Sequence, residues 1–318
     1  MSKKNLIIIN NERCFEKDQK VYCENIEIKS LNENLSKFFN LKFFLRRGNT
    51  KPIYEINKSN TFLSSNPLSF SKNIINSIFN DNAIYLIISV TPYTLYSFIL
   101  LLISRKKVYL YLRSDGKKEI SIIFGKILSN LYKIGENFIS RFSNLIVVNK
   151  EISNKDKYFL VRPSQLDDDW NKNISRLNLH KEIKLLYIGR LKIEKGIFSL
   201  LNIYDKIKNK KNLKLTIIGQ GKKIKNLNVN INFLEPIADK FQLIKQFDKH
   251  SILVLPSYTE GHPQVLIESL SRYRPVIIFE DIRHVKLNYN GVFVCRREPE
   301  DFQRKIDYIK NNYNEIYD

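Results

Sequence analysis

The feature that most narrows the fold of this chain is an alternation that runs through it twice. Short apolar runs rich in Ile, Leu, Val and aromatic residues recur between stretches whose apolar residues step by three or four. Runs such as 6–9, 41–45, 84–90 and 108–112 lack an in–out polar alternation. Both of their faces must then be covered, as in strands of a parallel sheet. Helical stretches between them supply the crossovers. The order strand–helix–strand, repeated, predicts an α/β class with two doubly wound parallel sheets and ligands at the strand C-terminal ends.

A length of 318 residues is enough for two such domains, each with its own core. The first is expected over residues 1–166 and the second over 181–318. Residues 167–180 open on Asp167-Asp168-Asp169-Trp170 and are polar without a period. They read as a linker, and the acidic triplet as a solvated charge run rather than a metal site. Formal charge is +21, with Lys and Arg exceeding Asp and Glu by 13 in residues 1–165 and by 8 in the rest. Such a surface suits nucleic acid, anionic lipid or an anionic ligand. A richness in Lys, Asn and Ile accounts for part of the excess without any partner. Cys14, Cys23 and Cys295 are scattered and odd in number, which fits a reducing cytosol. The four histidines form no metal-binding spacing, and the chain start has too short an apolar stretch for a signal peptide.

Residues 83–104 carry no charge and end at Arg105-Lys106-Lys107. Length and flank would allow a membrane span, but Thr91-Pro92 divides the stretch into a strand and a helix start. A buried βαβ unit is the expected outcome. Helices are expected over 28–39 and 71–79, and residues 46–66 read as an irregular loop. A single long helix is expected over 116–142, with Ile120, Phe124, Ile127, Leu131, Ile134 and Phe138 on its core-facing side and Lys118, Lys126 and Lys133 opposite. A membrane-surface role is the alternative reading of that amphipathic stretch. In the second half, strands are expected at 184–188, 213–218, 231–234, 252–255, 276–279 and 292–295, and helices at 198–208, 240–247, 264–272 and 299–312.

The stretch 253–274 has the richest chemistry. An apolar strand runs into a loop holding Pro256, Gly261 and Pro263, and a helix follows from Gln264. Pro263 suits the first helical turn, and the N–H groups of Gln264 and Val265 would present the positive end of the helix to an anion. Glu260 stands before the loop and Glu268 one turn into the helix, so a ligand there could meet a carboxylate at each end. Solvated loop acid and ordinary helix acid are the plain alternatives. Gly189-Arg190 ends the first strand of this half, with Glu194-Lys195-Gly196 just beyond; two cations at a strand end suit a diphosphate leaving group. Gly219-Gln220-Gly221 ends the next strand.

Three segments, I-G-R-L-K-I-E-K-G (188–196), I-I-G-Q-G (217–221) and V-L-P-S-Y-T-E-G-H-P-Q-V-L-I-E (254–268), resemble the group 1 family of retaining glycosyltransferases. The last carries that family's E-x(7)-E signature. The resemblance covers about residues 184–296; the first half matches only in pattern. It implies a GT-B fold, two Rossmann-like domains facing a cleft, with the nucleotide-sugar on the second and the acceptor on the first. It implies that Arg190 and Lys195 bind the diphosphate, Glu260 contacts the donor sugar, and Glu268 bonds the ribose hydroxyls. Gly189, Gly219, Gly261, His262, Pro263, Gln264 and Val265 would line the donor site, and the loop with Pro236 would pass the base. No metal or other cofactor is implied. His262 stands where an aromatic is commoner and is expected to position backbone.

The first half departs from the family. It has no histidine near the expected sugar site, and Asn10-Asn11-Glu12-Arg13 stands where a glycine-rich loop is usual. Arg113 and Asp115 are expected at the acceptor side. Asp115 reads either as a base for the acceptor hydroxyl or as a helix cap. The function expected is sugar transfer, with retention, to a saccharide or lipid-linked acceptor in bacterial surface polysaccharide or lipopolysaccharide assembly. The setting would be cytoplasmic, with peripheral contact to an anionic membrane. A nucleotide-sugar epimerase or phosphorylase is the second reading. A basic lipid-surface or nucleic-acid binding protein ranks third, since no aromatic–basic nucleic-acid motif is present.

Overall fold

A computed structural model describes residues 3–49, 53–80, 82–153, 155–177, 182–208, 210, 212–221 and 230–317. They fall into two compact units, Met1–Pro163 and Ser164–Asp318.

The first unit is built on β1 (Lys4–Lys17), whose Ile7, Ile8 and Ile9 are fully buried. Strands β2 (Lys20–Cys23), β3 (Phe39–Arg47), β4 (Tyr54–Ile56), β5 (Thr61–Ser64), β6 (Ala83–Ile88), β7 (Val108–Leu112), β8 (Asn144–Val147) and β9 (Phe159–Leu160) complete a nine-stranded sheet. Its parallel core runs β5-β3-β1-β6-β7-β8-β9. The far end of β1 turns back through β2, antiparallel, and β4 adds to that hairpin. The loop expected over 46–66 therefore contains two short strands. The loop expected after strand one is replaced by continuation of β1 itself, because Cys14 and Cys23 give the hairpin a buried apolar seam.

Helices α1 (Ile26–Leu35), α2 (Pro67–Asn80), α3 (Pro92–Ile103), α4 (Gly116–Phe124) and α5 (Lys126–Arg141) serve this sheet. Thr91 caps α3 in a reciprocal box with Thr94. That cap divides the uncharged stretch into β6 and α3, and no helix among the described residues is long and apolar enough to cross a membrane. The single helix expected over 116–142 is two helices. Gly125, at φ +86° and ψ 177°, ends one and begins the other in a conformation open essentially to glycine. The expected core side of this stretch is also reversed. Ile127, Leu131 and Ile134 are exposed, and α5 instead buries Ser129, Gly135, Glu136, Ile139 and Ser140.

The second unit holds β10 (Ile183–Ile188), β11 (Leu213–Ile218), β12 (Ile231–Leu234), β13 (Ile252–Leu255), β14 (Val276–Phe279) and β15 (Val292–Cys295), all parallel. Their order is β12-β11-β10-β13-β14-β15, so the chain reverses direction across the sheet between β10 and β13. A doubly wound sheet of this order has its crevice at that point. Helices α6 (Ile197–Lys206), α7 (Lys240–Lys249), α8 (Gln264–Ser271), α9 (Pro299–Asn311) and α10 (Tyr313–Tyr317) complete it.

The stretch 167–177 is no free linker. Trp170 is buried against Phe247 with ring centroids 5.7 Å apart. Arg272 forks onto Asp248 at 2.9 Å through two nitrogens and also donates to the carbonyls of Trp170 and Lys172 at 2.8 Å. The acids that read as a solvated run are partnered too: Lys240 bridges Asp167 and Asp169. Residues 178–180 lie outside the described residues.

Candidate functional site

The site is assembled by backbone crowding at the switch between β10 and β13. Gly196 adopts a left-handed conformation, φ +68°, and a Cβ there would stand 1.9 Å from the carbonyl oxygen of Pro256. Only glycine lets the loop after β10 lie against the loop after β13. Tyr258 N–H bonds the Glu194 carbonyl at 3.0 Å across the same seam. Gly219 works similarly one strand over, where a Cβ would lie 1.9 Å from the Gly189 carbonyl oxygen.

The seam brings Lys195 to Glu260. Its Nζ lies 2.7 Å from Oε1, and Ser257 Oγ donates to the same oxygen at 2.6 Å. His284 Nε2 lies 2.8 Å from the Glu260 carbonyl oxygen. A pocket of about 130 Å³ opens here, lined by Lys195, Glu260 and Ser257, by Tyr187, Ile188 and Gly189, and by Leu255, Pro263, Gln264 and Val265. This is less than the roughly 300–1,000 Å³ of a complete small-molecule site, so it accommodates one portion of an extended ligand. Helix α8 begins at its wall without a side-chain cap; Pro263 stands one residue before the helix rather than in its first turn. The positive end of that helix therefore meets the pocket.

Glu268 lies one turn on from Gln264, on the same helix face, and does not line this pocket. It is 8% exposed, and burial pushes its carboxyl up to about 7. A carboxyl held near neutrality this way accepts and donates hydrogen bonds to ligand hydroxyls at small cost. Arg190 directly follows Gly189, but its side chain is exposed and outside the lining. Its carbonyl accepts the Tyr187 hydroxyl at 2.8 Å. Of the four charged residues singled out from sequence, Lys195 and Glu260 meet, Glu268 follows along α8, and Arg190 is exposed outside the pocket lining. Gly261 is buried, His262 half-buried and Pro236 half-buried in the loop after β12.

Arg297 escaped the sequence reading. It donates to the Pro256 and Ser257 carbonyls at 2.7 and 3.0 Å and pairs with Asp281 at 2.7 Å. Its guanidinium lies 3.8 Å from the Tyr258 ring centroid. It fixes the loop that carries Glu260 from forty residues away, and nothing near it in the chain announces that role. On the first unit, Arg113 pairs with Glu27, and Asp115 caps α4 by accepting Lys118 N–H at 2.9 Å. Capping is thus the role of Asp115 that the geometry displays.

Residues 168–317 match the family described as "Glycosyl transferases group 1". The second unit belongs to the group 1 glycosyl transferases. Among curated relatives of the chain is a Campylobacter jejuni protein, "GalNAc-alpha-(1->4)-GalNAc-alpha-(1->3)-diNAcBac-PP-undecaprenol alpha-1,4-N-acetyl-D-galactosaminyltransferase". It is 29% identical over 49% of this chain and 45% of its own length. Protein CapJ of Staphylococcus aureus is 28% identical over 49% of this chain and 43% of its own. The chain thus matches less than half the length of these relatives. Two solved structures cover nearly all of it. Sucrose-phosphate synthase from Thermosynechococcus elongatus superposes with TM-score 0.74 at 15% identity, covering 98% of this chain and 90% of that one. Anabaena Alr3699/HepE, in complex with UDP and glucose, superposes with TM-score 0.66 at 13% identity, covering 99% and 92%. The chain has the GT-B fold, with two α/β units built on parallel sheets.

Proposed function

We propose that this protein transfers a sugar, with retention, from a nucleotide-sugar to a saccharide or lipid-linked acceptor. The observation that carries the reading is the Lys195–Glu260 pair in one pocket with the start of α8 and the Gly189 backbone. A cation, a helix end and a carboxylate at one strand-end crevice match a ligand with a diphosphate beside a hydroxyl-bearing sugar. As the glycosidic bond breaks, Lys195 and the α8 N-terminus stabilise charge on the departing diphosphate. Ser257 and Lys195 hold Glu260 toward the sugar, and Glu268 receives ribose hydroxyls. Arg190 has the reach of an exposed guanidinium to close onto the diphosphate when donor is bound. Gly219, Gly261, His262 and Pro236 complete the donor side, Pro236 beside the base. Arg113 and Asp115 belong to the acceptor side, Asp115 as structural cap first.

The reading involves no metal or other cofactor, since the donor itself is the substrate. Surface-polysaccharide or lipopolysaccharide assembly at the inner face of a bacterial membrane is the setting we infer. It is supported by the undecaprenyl-linked acceptor named for the Campylobacter relative. The hexosyl class of donor is supported by the UDP and glucose complex of the Anabaena neighbour.

The test combines donor binding with turnover. Thermal shift against UDP, GDP and ADP sugars identifies one base by a large stabilisation. With that donor, Lys195→Ala and Glu268→Gln each reduce turnover by roughly a hundredfold or more while the fold persists by circular dichroism. Turnover like the wild type in both variants would refute the site. Release of free nucleotide that requires acceptor separates transfer from epimerisation.

A further inference from the structure

Helix α5 is inside out. Ile127, Leu131 and Ile134, spaced four and three apart on one face, are 80, 59 and 66% exposed, whereas the opposite face buries Ser129, Glu136 and Ser140. Phe138 of α5 stacks edge-on against Phe98 of the neighbouring helix α3 at 5.7 Å, and Ile103 at the end of α3 is 76% exposed. A soluble helix ordinarily turns such a stripe to the core. Here the core side is occupied by small and polar residues, so no rotation of α5 could bury both.

Charge identifies what covers this face. Helices α3 and α5 contain one acid between them, Glu136, which is 3% exposed and paired with Lys133 at 3.2 Å. The exposed charges at the ends of these helices are basic: Lys126 at the start of α5 and Arg105 just after α3. A second copy of the chain would fit poorly. A twofold contact sets each residue against its own surroundings, and here would bring like charges together while the one acid of α3 and α5, Glu136, is buried. An anionic lipid surface meets both features at once, apolar side chains entering the acyl boundary and basic ones remaining at the headgroups.

We infer that the outward face of α5, with the adjoining end of α3, is a docking surface for an anionic membrane. The inference deepens the membrane-side setting proposed above and names its surface, yet it stands on residues remote in sequence from the donor site. It is tested by co-sedimentation of the full-length protein with vesicles of phosphatidylcholine alone and of phosphatidylcholine mixed with phosphatidylglycerol. Binding is expected to the anionic vesicles and to weaken as salt is raised. The triple variant Ile127→Gln, Leu131→Gln, Ile134→Gln is expected to bind about tenfold more weakly or worse. Lys126→Glu with Arg105→Glu is expected to lose the preference for anionic vesicles. Because all five side chains are exposed, each variant should keep its melting temperature and its nucleotide-induced thermal shift. Loss of vesicle binding with that shift intact supports the surface independently of the donor reading. Equal binding of wild type and triple variant, equal binding to neutral and anionic vesicles, or a dimer abolished by the triple variant without any vesicle binding, would each overturn it.

Discussion

Both units are parallel α/β sheets, yet they are held together differently. In the second unit, backbone approaches backbone. Gly196 and Gly219 sit where any Cβ would collide with a carbonyl, and two arginines, Arg272 and Arg297, pin loops by their main-chain oxygens. In the first unit, side chain meets side chain. Arg46 covers Tyr93 at 4.2 Å, Arg113 pairs with Glu27, and α5 is seated through Ile139 among polar and small residues. Backbone contact admits one residue type and leaves a mark in the chain. Side-chain contact has many solutions and leaves little.

The largest test of this contrast is Arg272→Ala. It strands Asp248 and the carbonyls of Trp170 and Lys172, and should cost about 3–5 kcal/mol in the second unit. Trp170, the chain's one tryptophan, reports that unfolding by fluorescence. A cost under about 1 kcal/mol would restore 167–177 to the status of a linker. Gly196→Ala adds left-handed strain to a backbone collision and should cost about 3 kcal/mol, again by Trp170 fluorescence, with donor binding lost alongside.

In the first unit the contrast sharpens into a pair. Ile139→Ala empties a fully buried position of α5 and should cost about 2–4 kcal/mol, read by hydrogen exchange in β7 and β8. Ile134→Ala, on the outward face, should stay within about 0.5 kcal/mol. The reverse ranking would mean that α5 faces the protein as its periodicity suggests.

The effect confined to a pH window concerns Glu268. Its folded carboxyl titrates near 7, above the ordinary 4.5. A group whose pKa rises on folding contributes its stability in full below the unfolded value and loses it as pH rises through the folded one. Wild type is therefore weakened between about pH 4.5 and 7, and Glu268→Gln, which cannot ionise, escapes that loss. The variant should be more stable than wild type by on the order of 3 kcal/mol above pH 7 and no different below pH 4.5. Denaturant midpoints across pH check this; a pH-independent difference would place the Glu268 carboxyl in water.

Residues on their own were enough to read the class and the second sheet, whereas the pairing of Lys195 with Glu260 came only from the folded seam. Apolar runs without alternation demand a sheet covered on both sides, and glycines at strand ends mark close approach. Amphipathic spacing along 116–142 was equally plain, but it says only that a helix has two unlike faces. Which face turns inward depends on what the sheet offers beneath it, and so the orientation of α5 was settled by packing. The same holds for Arg190, whose exposure follows from where the loop after β10 leads, and for Arg297, whose carbonyl partners at Pro256 and Ser257 lie 41 and 40 residues earlier. Local pattern sets what a segment can become; contacts between segments distant along the chain decide which way it faces and what it touches.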